Sequence, residues 1–259
     1  MKFILGRSGT GKSTLCMNQI KEAINSGFDK PIIYIVPEQF SFESEKKLIE
    51  VLGKNGIIGA QVLSFKRLAY KIFNENNIVL NTLSDSSRAM LIYYIMLSCE
   101  NDLQVLKGAS KNPGIVTSIL EEISEFKRYG LSPKSFEGFD FKNEYLNRKI
   151  HDICLIYEEY EKRISDTYID SNDDLTVLFD VISNKDKYLD GAKIWIDEFD
   201  GFITQEVNII KALDKKCDVT ISMISDDDEL FEINNKNLNK LGDYSDSIYL
   251  KNNYRFNNE

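Results

Sequence analysis

The chain has 259 residues, 42% hydrophobic and 28% charged, proportions of an ordinary folded protein that exclude a disordered or fibrous one. With 41 acidic against 32 basic residues the net charge is −9, so no global positive field can hold a polyanion, and any contact with nucleic acid must be local. No run approaches the roughly 20 apolar residues of a membrane span, and the N-terminus leads into a strand without a leader, which predicts a soluble cytoplasmic protein with no membrane partner.

Residues 2–5 (KFIL) read as a short buried strand running into GRSGTGKS, the phosphate-loop pattern G-x-x-x-x-G-K-[ST]. A helix follows, because Cys16, Ile20, Ala23 and Ile24 recur at three- and four-residue spacing and Gly27 supplies a stop. Glycines let backbone N–H groups turn inward around phosphate oxygens, and a helix N-terminus adds the positive end of its dipole. Gly6, Arg7, Ser8, Gly9, Thr10, Gly11, Lys12 and Ser13, with Thr14 just beyond, therefore form a candidate nucleotide cradle. Lys12 would reach the β- and γ-phosphates, and the Ser13 hydroxyl would ligate Mg²⁺. The competing reading is a glycine-rich turn that binds nothing.

Further strands are predicted at 32–36 (IIYIV), stopping at Pro37, and at 60–65 (AQVLSF). Between residues 84 and 183 the pattern turns helical. One stripe is Ile115, Ile119, Leu120, Ile123 and Phe126, opened by Asn112 and Pro113 and closed by Lys127, Arg128 and Gly130. A second is Leu146, Ile150, Ile153, Tyr157, Tyr160 and Ile164; a third is Leu175, Leu178, Phe179 and Ile182. These stripes read as core. His151 lies in such a stretch as the sole histidine, which argues against a Ser/His/Asp hydrolase. Cys16, Cys99, Cys154 and Cys217 never form a C-x-x-C pair, so no zinc site is expected and all four read as buried reduced thiols.

After the helical block, Lys193, Ile194, Trp195 and Ile196 end in Asp197 and Glu198, the acid pair a phosphate loop needs on a nearby strand. Asp197 would hold Mg²⁺ and Glu198 would polarise the attacking water, which favours nucleotide hydrolysis; Asp200 is close enough in sequence to compete for either role. An edge strand with a charged end is the alternative. Strands at 219–224 and 247–250 complete an open, mostly parallel sheet. Ligands of such sheets bind beyond the strands' carboxyl ends, which makes 37–42, 64–66, 226–228 and 252–255 the candidate rim. The acidic run at 226–229 and the asparagine-rich end at 234–258 read as solvated loops. The fold class is α/β, a P-loop (RecA-like) parallel sheet at 1–80 and 184–259, interrupted by an all-helical subdomain at 81–183.

The segments MKFILGRSGTGKS, IIYIVPEQFSFESEKKL, AQVLSFKRLAYKIF, EFKRYGLSP and KIWIDEFDGFITQE, in that order, resemble the N-terminal region of the AddB subunit of bacterial AddAB-type ATP-dependent helicase/deoxyribonucleases. The chain also resembles a divergent first motor domain of superfamily 1 helicases, with the sheet as a 1A-like and the insertion as a 1B-like domain. The resemblance implies ATP and Mg²⁺ as cofactors, DNA (single-stranded or a duplex end) and an AddA-type subunit as partners in a heterodimer, and a role in double-strand break repair and homologous recombination. It implies that 34–42 contacts single-stranded DNA, that 62–68 packs behind it, that 168–175 (YIDSNDDL) ends the inserted subdomain, and that Arg255 of YLKNNYRF faces the γ-phosphate. Two departures stand out: no glutamine precedes the loop strand to read adenine, and 224–229 offers none to couple phosphate to DNA. The family's nuclease domain and iron–sulfur cluster would lie downstream, so a fragment is expected that neither unwinds nor cuts DNA unaided. A non-catalytic P-loop scaffold for DNA or a partner subunit, and a small P-loop phosphotransferase, are the alternatives. Lys66, Arg67, Lys127 and Arg128 could meet phosphates, though paired basic residues more often form solvated faces. Phe40 and Phe42 could stack bases or pack in the core.

Overall fold

A computed structural model describes residues 1–53, 59–79, 83–164, 174–226, 228–242 and 247–254. In chain order the elements begin β1 (Lys2–Gly6), α1 (Lys12–Asn25), β2 (Ile32–Ile35), α2 (Ser41–Leu52), β3 (Gln61–Leu63) and α3 (Phe65–Glu75). Then come α4 (Asp85–Ser98), α5 (Pro113–Arg128), α6 (Glu144–Ile164) and α7 (Asp174–Asn184). The chain returns through β4 (Lys193–Ile196), α8 (Thr204–Asp214), β5 (Asp218–Ile224), α9 (Glu232–Leu241) and β6 (Ile248–Leu250). It divides into two compact units, Met1–Ile78 with Leu175–Glu259, and Val79–Asp174.

The first unit is an α/β fold built on a sheet of order β3-β2-β4-β5-β1-β6 in which every described pairing is parallel. Parallel strands are covered on both faces, which is why β1, β2 and β4 read as near-continuous apolar runs. One face packs on α1 and α2 through Ile4, Cys16, Ile20, Ile32, Tyr34, Leu48 and Trp195. Each fully buried isoleucine or leucine there contributes about 1.5–3 kcal/mol. Trp195, 6% exposed, also donates its indole N–H to Oε1 of Gln19 on α1 at 2.9 Å, tying β4 to that helix. Helix α1 ends as its glycine predicts: at Gly27, φ +73°, the N–H reaches the Ile24 carbonyl at 3.1 Å, and the next N–H, of Phe28, reaches that of Ala23 at 3.3 Å.

The second unit is helical. Its core joins Ile92, Ile95 and Met96 of α4 to Ile119 and Ile123 of α5 and Ile153, Tyr157 and Tyr160 of α6. Asn112 caps α5, its side chain accepting from Gly114 N–H at 3.0 Å with Pro113 at the first helical position. Three buried charges reinforce the packing. Arg88 donates to Tyr160 Oη (3.2 Å) and Ser124 Oγ (2.8 Å). Lys127 pairs with Glu161 at 2.6 Å, and Asp152 accepts backbone N–H groups from Gln104, Val105 and Leu106.

Three expectations are corrected. The stretch from 234 to 241 is no loop: it lies in α9, whose Leu238 and Leu241 are buried. Lys127 is 6% exposed, so it is neither a solvated face nor free to meet a phosphate. Of the cysteines only Cys16 is fully buried; Cys99, Cys154 and Cys217 are partly exposed because they sit near helix ends or on helix flanks. Among the described residues no helix is long and apolar enough to cross a membrane.

Candidate functional site

The loop between β1 and α1 is shaped by its glycines. Gly6 has φ +155°, and a Cβ there would fall 2.5 Å from the Leu250 carbonyl oxygen and 2.8 Å from Thr10 Oγ1, so only hydrogen fits. Gly9 and Gly11 are left-handed at φ +81° and +84°, which costs glycine little. Thr10, 3% exposed, folds the loop back by donating to the Arg7 carbonyl at 2.8 Å. Helix α1 starts at Lys12 with no side-chain cap and no acidic residue in its first turn, so the dipole at that end is uncompensated by this chain. Ser13 is half-buried in that turn, while Ser8 and Thr14 are exposed.

Lys12 Nζ donates to the carbonyls of Gly6 (3.0 Å) and Arg7 (2.9 Å), placing the ammonium across the loop. Burial lowers its pKa, and the charge of Asp197 works against that drop. Arg7 points elsewhere: its guanidinium pairs with Asp226 at 2.6 Å and stacks over Phe231. The segment after β6 closes on the loop, with Tyr254 N–H on the Gly9 carbonyl (2.9 Å), Asn253 on that of Ser8 (3.4 Å), and the Tyr254 ring beside Gly11. A cleft of about 460 Å³ opens between Gly6, Thr10, Ser225, Tyr249 and Lys251. Arg255 lies outside the described residues, as do residues 165–173 and with them most of the YIDSNDDL stretch.

The acid pair arrives from β4, separated from β1 by β5 alone. Asp197 is 2% exposed; Tyr34 Oη donates to its Oδ2 at 2.6 Å, and the Glu198 N–H donates to its Oδ1 at 2.8 Å. Its charge is felt by Lys12, by the Cys16 thiol and by the Tyr34 phenol, whose pKa burial and this carboxylate together push well up. Glu198 has φ +67°, an uncommon conformation for a residue with a Cβ. Its Oε2 accepts from the buried Ser44 hydroxyl at 3.3 Å, and burial, then the charge of Asp197, raises its pKa while Lys47 opposes the rise. Asp200 is exposed, with its carbonyl bonded to Asn234 (3.4 Å), and stands apart from these contacts.

The residues present suit a Mg²⁺ nucleotide. Among the described residues no group of three or more His, Cys, Asp or Glu could hold a metal. Mg²⁺ at a phosphate loop, however, takes few protein ligands and completes its shell with water and phosphate oxygens. Ser13 and Asp197 would supply them, and each Asp197 oxygen, with one donor on it, keeps a further lone pair. On the rim, Phe42 is 80% and Phe40 37% exposed, Lys66 and Arg67 are exposed, and Ser64 donates to Glu38.

Sequence reasoning overlooked Tyr34 and Ser44. The first is opposite Trp195 in register, a pairing visible only once β2 and β4 are known to be neighbours.

The family described as ADDB, N-terminal, matches residues 3–248. The chain belongs to this ADDB N-terminal family. It is 43% identical over 232 residues, 87% of its length, to the AddB subunit of the ATP-dependent helicase/deoxyribonuclease of Clostridium botulinum (strain Loch Maree / Type A3), where the match covers 20% of that protein. The corresponding subunit of Clostridium acetobutylicum is 40% identical over 243 residues, 90% of this chain and 21% of its own length. That of Thermoanaerobacter sp. (strain X514) is 37% identical over 236 residues, 89% and 20%. The ADDB resemblance read from the motifs is thereby borne out, and the chain spans about a fifth of the length of these curated relatives.

Proposed function

We propose that this chain is the ATP-binding, helicase-like part of the AddB subunit of an ATP-dependent helicase/deoxyribonuclease acting in double-strand break repair and homologous recombination. Its sheet would serve as the 1A-like and its helical unit as the 1B-like domain, working on DNA beside an AddA-type subunit. The observation that carries the reading is Lys12 lying across a glycine loop within reach of the charge of Asp197 from β4.

In this reading Gly6, Gly9 and Gly11 keep the loop backbone open to phosphate oxygens, and the uncapped first turn of α1 donates to them. Lys12 exchanges its two carbonyl partners for β- and γ-phosphate oxygens. Ser13 and Asp197 would hold Mg²⁺, which when bound neutralises charge on those oxygens. Glu198, its carboxyl made more basic by burial, orients and polarises the attacking water. Phe42 and its exposed neighbours would meet single-stranded DNA at the rim.

Calorimetric titration of ATP, with and without Mg²⁺, into the wild-type chain and Lys12→Ala tests the reading. Affinity should fall by roughly tenfold or more in the variant, since a charge-assisted contact contributes about 1.5–3 kcal/mol. Equal affinity in both proteins would end it. A second reading, a nucleotide-binding scaffold without turnover, is favoured by the Arg7–Asp226 ion pair, which engages the segment where a coupling glutamine would stand. ATP turnover stimulated by single-stranded DNA speaks for the first reading; binding without stimulation speaks for the second.

A further inference from the structure

The two acids after β4 are held in different ways, and the holder of Asp197 is a hydroxyl with no other evident reason to be where it is. Tyr34 is 0% exposed in the middle of β2. Its partner across the ladder is Trp195, and the next pair, Ile35 and Ile196, continues into the bond from Asp197 N–H to the Ile35 carbonyl at 3.0 Å. Side chains alternate along a strand, so Trp195 and Asp197 share a face, and Tyr34 lies on that same face toward α1. The phenol thus reaches the carboxylate from the side at 2.6 Å while the Glu198 N–H takes the other oxygen at 2.8 Å. Two donors on two oxygens fix the rotation of the carboxylate.

A phenylalanine would fill the same space and leave no polar group to desolvate. Burying a hydroxyl is unfavourable unless a hydrogen bond compensates, and here the compensating bond is to a charged acceptor. We propose that Tyr34 is a positioning residue, which holds Asp197 in the orientation from which it acts on Lys12 and would ligate Mg²⁺. The proposal rests on the nucleotide reading above. Removing such an outer partner of a metal ligand typically weakens metal affinity by about 10–100-fold.

The test measures affinity for a fluorescent ATP analogue, with Mg²⁺ and with Mg²⁺ chelated, in the wild-type chain, Tyr34→Phe, Asp197→Asn and the double variant. Tyr34→Phe should keep the Mg²⁺-free affinity within about twofold and cut the enhancement by Mg²⁺ roughly tenfold. In the Asp197→Asn background the same change should do nothing further, because the group it orients is gone. For a variant only marginally folded, the rise in melting temperature on adding Mg²⁺ with nucleotide reads the same coupling. Wild-type Mg²⁺ enhancement in Tyr34→Phe, an undiminished effect in the Asp197→Asn background, or a parallel fall in Mg²⁺-free affinity overturns the proposal and leaves the nucleotide reading standing. A wild-type chain that binds no nucleotide in either condition removes both.

Discussion

Asp152 shows how a buried carboxylate can organise a segment that has no regular structure of its own. It is 0% exposed on α6 and gathers the N–H groups of Gln104, Val105 and Leu106. Burial alone would favour its neutral form, yet these donors outweigh it and hold its pKa below the usual carboxylate value. The ionised form therefore stabilises the fold. That contribution is complete above the unfolded value of about 3.9 and disappears as pH falls through the lower folded value. Asp152→Asn should lose about 1–3 kcal/mol at neutral pH in urea unfolding, and less as the solution is acidified toward the folded pKa. A second charged residue of the same unit teaches the limit of one-dimensional reading. Lys127 and Arg128 are adjacent basic residues, but only the helix phase and the position of Glu161 decide that Lys127 turns inward. The loop residues from Gly6 to Ser13 were legible because their chemistry is contiguous, whereas the bonds of Tyr34 and Ser44 to the acids depend on which strands and helices become neighbours.

At the scale of elements, two glycines with positive φ separate conformational strain from crowding. Gly27 at φ +73° has nothing within 4 Å of the place a methyl group would take, so Gly27→Ala should cost only about 1 kcal/mol. Gly6→Ala meets the Leu250 carbonyl and must push β1 and β6 apart; a further destabilisation of about 1–3 kcal/mol is expected, together with loss of nucleotide affinity. Chemical unfolding of both variants and titration of the second check this pair. At α5, Asn112→Ala removes the cap and should cost about 1 kcal/mol, measurable as a lowered urea midpoint with unchanged slope. Strands and long helices announced themselves through their apolar periods. Helix α9 did not, because asparagines favour turns and its two deeply buried anchors, Leu238 and Leu241, are too few to set a period against that composition.

For the whole molecule, the sheet unit is assembled from distant parts of the sequence: β1 lies between β5 and β6, so the first strand cannot be enclosed until those later ones exist. Such non-local pairing predicts slow folding of that unit. The helical unit is continuous in sequence, and its core comes from α4, α5 and α6 with the segment that joins them. Residues 79–174 expressed alone should give a helical circular dichroism spectrum and a cooperative melt; a featureless, non-cooperative chain would contradict this. The single tryptophan offers a way to watch the other unit at work. Trp195 stands two residues before Asp197 and is bonded to the helix that springs from the loop, so its emission is a built-in optical gauge of ligand arrival. A label-free titration can follow a shift in that light, and replacing Gln19 should change the signal without touching the cradle itself.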